Sequence, residues 1–347
     1  MNRIGTQDST SPMHGIAATP FPRGRTPTPA RRLLHWDVES HRRMSSHLGR
    51  AFLGIVLVNL LAGCVVRQAL IHGVDDSIAQ SGEVYASDPD VELVGAATPF
   101  ALKFIESLLA ESPKHRGLLL AAARGFTQYA YAYVENPADE LEAHDVGGAY
   151  RERERACKLY VRARDYGLRG LSVAYPGFTA DLHQSAAATL SRMRREDVPL
   201  LYWTAVSWGA AISVSKDDAA MLGDLPLVRQ LADRALELNE AFDGGAIHIL
   251  QMTLAMTESR PQAQRIAAAK FHFERAVALS HAQQAAPFVS YAESVSVIAN
   301  QRAEFEQLLG RALAIDAAAT PAWRLSNEIF QRRARWLSAR AEELFSP

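Results

Sequence analysis

The chain has 347 residues, with 37 basic and 38 acidic side chains, 48% hydrophobic residues and two cysteines. From Cys64 onward it carries 29 basic and 35 acidic side chains, a balance without the electrostatic footprint of a nucleic-acid binder. H-E-x-x-H, G-x-S-x-G, the Walker A loop and C-x-x-C are all absent, so no enzyme motif, cofactor or metal centre is expected. Residues 1–43 are rich in Pro, Ser, Thr and Arg without apolar periodicity, the composition of a segment that cannot bury a core.

The next segment reads as an export signal. Arg50 precedes an uncharged apolar run, AFLGIVLVNLL, and Leu61-Ala62-Gly63 supply small residues just before Cys64. The next charge is Arg67, which leaves a window shorter than the ~20 residues of a bilayer span. Leu-Ala-Gly-Cys resembles the bacterial lipobox, whose cysteine is acylated and becomes the new N-terminus. The alternative is an ordinary buried cysteine on an apolar helix. On the lipobox reading Met44 is the expected start, 44–63 the signal peptide, Cys64 the lipid attachment point and 64–97 mostly a tether with one short helix at most. Val65 follows the cysteine where an aspartate would signal inner-membrane retention, so the anchor is expected in the outer membrane, facing the periplasm. With Cys64 acylated no intramolecular disulfide remains, and Cys157, spaced helically with Ala156, Tyr160 and Ala163, reads as core.

From residue 98 to the end the chain reads as one all-α domain. Thr98-Pro99 predicts a helix N-terminus, and Ser112-Pro113 separates that helix from one running through Phe126, Tyr129 and Tyr133. Asn136-Pro137 should break the second helix. A third spans Gly148 to Ala174 and is closed by Pro176-Gly177. Residues 178–193 are weakly helical, and Pro199 opens a helix holding Tyr202, Trp203 and Trp208. In the second half Arg234-Ala-Leu-Glu-Leu, Arg275-Ala-Val-Ala-Leu and Arg311-Ala-Leu-Ala-Ile repeat at spacings of 41 and 36 residues. Arg169-Gly-Leu-Ser-Val lies 65 residues before the first. Periods of this size predict stacked helical hairpins, here a tetratricopeptide-like α-solenoid of divergent repeats; an irregular α-bundle is the alternative. The segment 321–345 predicts a long C-terminal capping helix with Arg324, Arg332, Arg335 and Glu342 on a polar outer face.

Candidate chemistry is sparse. Glu142 with His144-Asp145 reads as a solvated loop, and Gly147-Gly148 and Asp243-Gly244-Gly245 read as turns. Arg151 to Arg155 reads as a charged, solvated helix face. Lys216 is one of five lysines after Cys64; it reads either as a helix C-terminal charge or as a polar contact. The aromatics offer more. Tyr129, Tyr131 and Tyr133 at period two must occupy more than one helix face, so part of the set composed of Phe126, Tyr129, Tyr133, Trp203 and Trp208 lines either a core or a groove. The groove reading places these five residues and Lys216 together as a ligand or partner site.

Several strings taken in order resemble the T-component associated with TRAP transporters. These are RGLLLAAARGFTQYA from Arg116 to Ala130, then Tyr202-Trp203, Trp208-Gly209-Ala210, Ser215-Lys216-Asp217-Asp218, Asp224-Leu-Pro-Leu-Val and Trp323-Arg-Leu-Ser-Asn. The resemblance covers about residues 60 to 345. It implies a periplasm-facing lipoprotein, without enzymatic activity, that partners the solute-binding protein of a tripartite ATP-independent periplasmic transporter. It also implies homo-oligomers with a hydrophobic pore or cleft. The competing reading is a general tetratricopeptide scaffold lipoprotein in outer-membrane assembly.

Overall fold

The computed structural model describes residues 82–345. The 1–43 segment, the 44–63 signal, Cys64 and the first part of the 64–97 tether lie outside those residues. Regular structure among the described residues is helical throughout, with no strand.

Helix α1 (Val91–Glu111) begins eight residues earlier than Thr98-Pro99 suggests. Asp90 is the true N-cap: its carboxylate accepts the Leu93 N–H at 2.9 Å. Pro99 sits inside the helix and withholds one backbone donor, while the Thr98 hydroxyl donates to the Val94 carbonyl at 2.6 Å. Residues 82–87 are helical as well, so with the start of α1 the 64–97 span holds more than the one short helix expected of it.

Helix α2 (Arg116–Ala130) is capped by His115, whose Nδ1 accepts the Leu118 N–H at 3.1 Å. It does not stop at Asn136-Pro137. A widened π-turn, Tyr131–Glu135, carries it into α3 (Asn136–Leu141), with the Asn136 N–H reaching back five residues to the Tyr131 carbonyl. The register shift falls just where Pro137 lacks an N–H, so the chain absorbs the proline without breaking. Helix α4 (Val146–Ala174) follows the expected bounds closely, starting on an Asp145 cap and ending before Gly177, whose φ of +84° needs glycine. Two short helices, α5 (Phe178–Gln184) and α6 (Ala186–Ser191), lead to α7 (Val198–Val214), with Pro199 in its first turn.

The second half continues as α8 (Ala219–Gly223), α9 (Leu225–Leu238), α10 (Ala246–Met256), α11 (Gln262–Leu279) and α12 (Ala286–Tyr291). A second π-turn, Ala292–Ser296, follows α12. The chain ends in α13 (Arg302–Leu313), α14 (Arg324–Ala339) and α15 (Ala341–Leu344). The expected single C-terminal helix is therefore divided near Arg340.

Packing runs mostly between neighbours: α1 on α2, α2 on α4, α4 on α7, α7 on α9, α9 on α10, α10 on α11 and α13 on α14. Small residues let the axes approach. A Cβ on Gly167 of α4 would lie 2.1 Å from the Thr204 hydroxyl of α7, and Ala122, Ala205, Ala232 and Ala312 are fully buried. The repeated arginines lie toward the ends of their helices beside buried Ala235, Ala276 and Ala312. Each reaches a neighbouring segment: Arg169 the Pro113 carbonyl, Arg234 the Met193 carbonyl, Arg275 Glu240, and Arg311 the Phe288 ring. The array also returns to its start, since α14 packs against α1 as well as α12 and α13. Arg332 accordingly bonds Glu92 at 2.7 Å instead of facing solvent alone.

Candidate functional site

The six residues predicted for a groove occupy distinct surroundings. Trp208 is 2% exposed in the core shared by α4, α5, α7 and α9. The Arg164 guanidinium lies 5.2 Å from its ring centroid, and the indole N–H has no hydrogen-bond partner. Phe126 is 3% exposed and stacks on Tyr166 at 5.9 Å. Both are core residues by burial, too covered to line an open groove.

Tyr129 and Tyr133, one turn apart, meet at 5.6 Å. Arg155 donates to the Tyr129 hydroxyl at 3.4 Å, and the Tyr133 hydroxyl donates to the Val91 carbonyl at 2.9 Å. Burial pushes the Tyr133 phenol up to about 12. Trp203 is half-buried and forms a second aromatic group with Tyr202 at 5.0 Å; Tyr202 in turn meets Phe242 at 5.3 Å, and Arg124 lies 5.9 Å from the Trp203 ring. Trp203 and Trp208 are five positions apart on α7, about 140° around the helix, which separates their neighbours. Lys216 is exposed in the turn after α7, and Asp218 behind it caps α8 by accepting the Ala220 and Met221 N–H groups, both at 3.0 Å.

The densest polar site went unremarked in the sequence. Both π-turns contribute to it, and such turns recur at functional positions. Arg333 of α14 is 6% exposed. Its Nη2 donates to Asp139 of α3 at 2.9 Å and to Glu293 in the second π-turn, while its guanidinium lies 4.2 Å from the Trp336 ring centroid. Arg153 of α4 joins from the other element, bonding Asp139 at 2.8 Å and Glu142 at 2.7 Å. The Arg153 side chain thus leaves its expected solvated face for an inter-helix network. Tyr131, from the first π-turn, points away from its two neighbours to meet Phe330 of α14 at 5.5 Å.

Glu135 completes the site and receives a hydrogen bond from the Tyr160 hydroxyl. Burial is the largest influence on it and raises its carboxyl to about 7, although Tyr160 opposes the rise. Burial works against the charge on Arg333, but Glu293 and Asp139 outweigh it and hold the guanidinium above its usual basicity. One signal for this site was present in the sequence: Phe330, Ala334, Leu337 and Ala341 mark the buried stripe of the terminal segment, and Arg333 falls on it. Nothing in the sequence announced the π-turns.

A second titratable cluster sits between α10 and α11. His248 is 1% exposed; its Nδ1 lies 2.8 Å from Nδ1 of His272 and its Nε2 3.0 Å from Glu240, which also takes Arg275 at 2.7 Å. Burial, and then His248, lowers His272 to about 4. Among the described residues no three His, Cys, Asp or Glu side chains converge as metal ligands. Cys157 is half-buried with Sγ 4.0 Å from the Ala211 carbonyl.

The model of the TRAP transporter T-component family matches residues 87–345. A protein of Treponema pallidum (strain Nichols), described as uncharacterized, is 31% identical over 307 residues, covering 82% of this chain and 94% of the relative.

Proposed function

The chain belongs to the TRAP transporter T-component family, and from that membership we propose that it is a lipid-anchored, periplasm-facing accessory subunit of a tripartite ATP-independent periplasmic transporter. In this reading Cys64 carries the lipid in the outer membrane, and the helical array is a set of divergent tetratricopeptide-like hairpins. The array docks the periplasmic solute-binding protein and offers a hydrophobic pore or cleft within a homo-oligomer. The observation that carries the proposal is the family match, which spans nearly all of the described helices. The repeated arginines support the hairpin reading, because each ties its helix to a neighbouring segment.

The docking contacts are assigned to Tyr129, Tyr133, Trp203 and Lys216, which keep accessible surface. Phe126 and Trp208 stay in the core. Aromatic side chains with polar tips suit interface centres. The test is affinity capture of a periplasmic solute-binding protein of a TRAP transporter from the same organism. Saturable binding that Trp203→Ala and Lys216→Ala weaken, with the melting temperature unchanged, supports the reading. Absence of binding by the acylated protein under physiological salt rejects it.

A further inference from the structure

We propose that the outward face of α1, together with the basic groove of α4 beside it, rests on an anionic lipid surface. This goes beyond the transport role and rests on the reading that Cys64 is lipid-anchored.

The face itself is unusual for a chain with a well-filled core. Leu93 is 58% exposed, Phe100 78% and Phe104 51%. Successive turns of one helix bring these residues onto one side. The Phe100 and Phe104 rings lie nearly parallel, 6.5 Å apart and inclined by 10°, a flat apolar surface rather than two isolated side chains. Only 17% of the most apolar 18-residue stretch of α1 is buried. The opposite side, through Val91, Val94, Leu102 and Leu109, is buried; Leu102 sits so close to α2 that a Cβ on Gly125 would be 2.7 Å from it. A helix held by protein along one side cannot be ringed by lipid. It can lie along an interface with its free side in the acyl boundary.

Charge continues from that face onto α4. Lys103, between the two phenylalanines, pairs with Glu106 at 2.6 Å. Glu106 also takes Arg162 at 3.0 Å and the Tyr166 hydroxyl at 2.7 Å. There a groove of about 320 Å³ opens, lined by Lys158, Val161, Arg162, Asp165, Tyr166 and Arg169. Asp165 is its one acid, and Arg164 pairs with it at 2.8 Å. An apolar aromatic face rimmed by lysine, arginine and tyrosine matches an anionic headgroup layer over hydrocarbon. The chain connectivity selects this occupant over others. Only 26 residues separate Cys64 from Val91, and α1 is the first long helix after them, so an acylated Cys64 holds this helix close to a bilayer that its apolar face and basic rim can meet.

The experiment uses the full chain, as processed by the cell that makes it, in vesicles of phosphatidylcholine with or without phosphatidylglycerol. A fluorophore is placed by Phe100→Cys, or by Phe271→Cys as an exposed apolar control on α11, in a Cys157→Ser background. Quenching by lipids carrying a nitroxide on the acyl chain should be several-fold stronger at position 100 than at 271, and phosphatidylglycerol should increase it. Flotation reports the anchor separately. A chain that floats while position 100 is quenched no more than 271 overturns the face proposal and leaves the anchor standing. Flotation that requires phosphatidylglycerol, with quenching at 100, removes the anchor and keeps the face. Failure to float on either lipid overturns both. Cross-linking of position 100 to position 100 between copies, without lipid quenching, assigns the face to self-association and overturns the proposal.

Discussion

Arg332 near the C-terminus pairs with Glu92 of the first long helix at 2.7 Å, across 240 residues of sequence. Both partners are substantially exposed, so this pair marks the contact between α14 and α1 more than it holds it. The next residue does the holding. Arg333 is buried against Asp139 and Glu293, and removing one partner of such a group strands the others in low dielectric. Arg333→Ala should therefore destabilise the protein by about 3–5 kcal/mol, while Arg332→Ala should shift the urea midpoint little. Equal midpoints for the two variants would show that the buried network contributes nothing.

Glu135 should make stability fall as pH rises toward neutrality. Its carboxyl is raised from 4.5 to about 7 by burial, so the folded protein holds a proton that the unfolded chain releases. The contribution is fully present below pH 4.5 and is lost as pH rises to about 7. Glu135→Gln removes this dependence and keeps an acceptor for the Tyr160 hydroxyl. Thermal melts of variant and wild type should diverge in the variant's favour between pH 5 and pH 8, roughly the window in which the carboxyl ionises. A difference that stays constant with pH would place the Glu135 titration elsewhere.

The histidine pair works in the opposite direction. His272 is lowered from 6.5 to about 4 by burial and by His248, so the unfolded chain binds the proton more readily. Its contribution is present above pH 6.5 and is lost as pH falls toward 4. His272→Gln should make the acid limb of the stability profile shallower, and urea melts at pH 7 and pH 5 would measure it. An unchanged slope would exclude this pair as its source.

Trp208 and Trp203 should separate stability from binding. Trp208 fills the core at 2% exposure, so Trp208→Ala should cost about 3–5 kcal/mol, as for other truncated core aromatics. Trp203 is half-buried beside Tyr202 and Arg124, and its truncation should cost clearly less. Chemical denaturation of the two variants ranks them directly, and a Trp203 variant at least as unstable as the Trp208 variant would contradict the ranking.

Much of the architecture was legible from local rules. Pro199 and Gly177 mark helix ends because each acts on its own backbone, whereas Asp145, expected in a solvated loop, caps the helix that follows it. The errors arose where a distant contact or a register shift overrode the local signal. Thr98-Pro99 looked like a helix start, but Asp90 caps the chain earlier and α2 supports the helix through the proline. Asn136-Pro137 looked like a break, but the π-turn shifts the register by one residue there. The same shift carries Tyr131 to Phe330 and Glu135 to Tyr160. Pairings across tens to hundreds of residues, such as Arg333 with Asp139, leave no trace in spacing. Tyr129 and Tyr133 were readable as a pair because four residues bring side chains onto one helix face. The separation of Trp203 from Trp208 follows from the same geometry, five residues turning about 140°, although the groove reading placed the two together.

Gly95 gives a test of how α1 is seated. A Cβ there would lie 2.4 Å from the Tyr133 ring, and the Tyr133 hydroxyl is anchored on the Val91 carbonyl one turn earlier, so the ring cannot simply swing away. In an unconstrained helix Gly→Ala stabilises by about 0.5–1 kcal/mol. Here overpacking should reverse the sign, and Gly95→Ala should destabilise by about 1–3 kcal/mol. Tyr133→Ala removes the ring, so adding Gly95→Ala in that background should restore the gain expected of an ordinary helix position. A double-mutant cycle by denaturant melts measures the coupling. Additive effects would mean that α1 and the Tyr133 ring are not in contact. Strong coupling would mean that one aromatic sets the angle at which α1 presents Phe100 and Phe104 outward. In that case Gly95→Ala should also reduce lipid quenching at position 100, although residue 95 is not one of the exposed apolar side chains of that face.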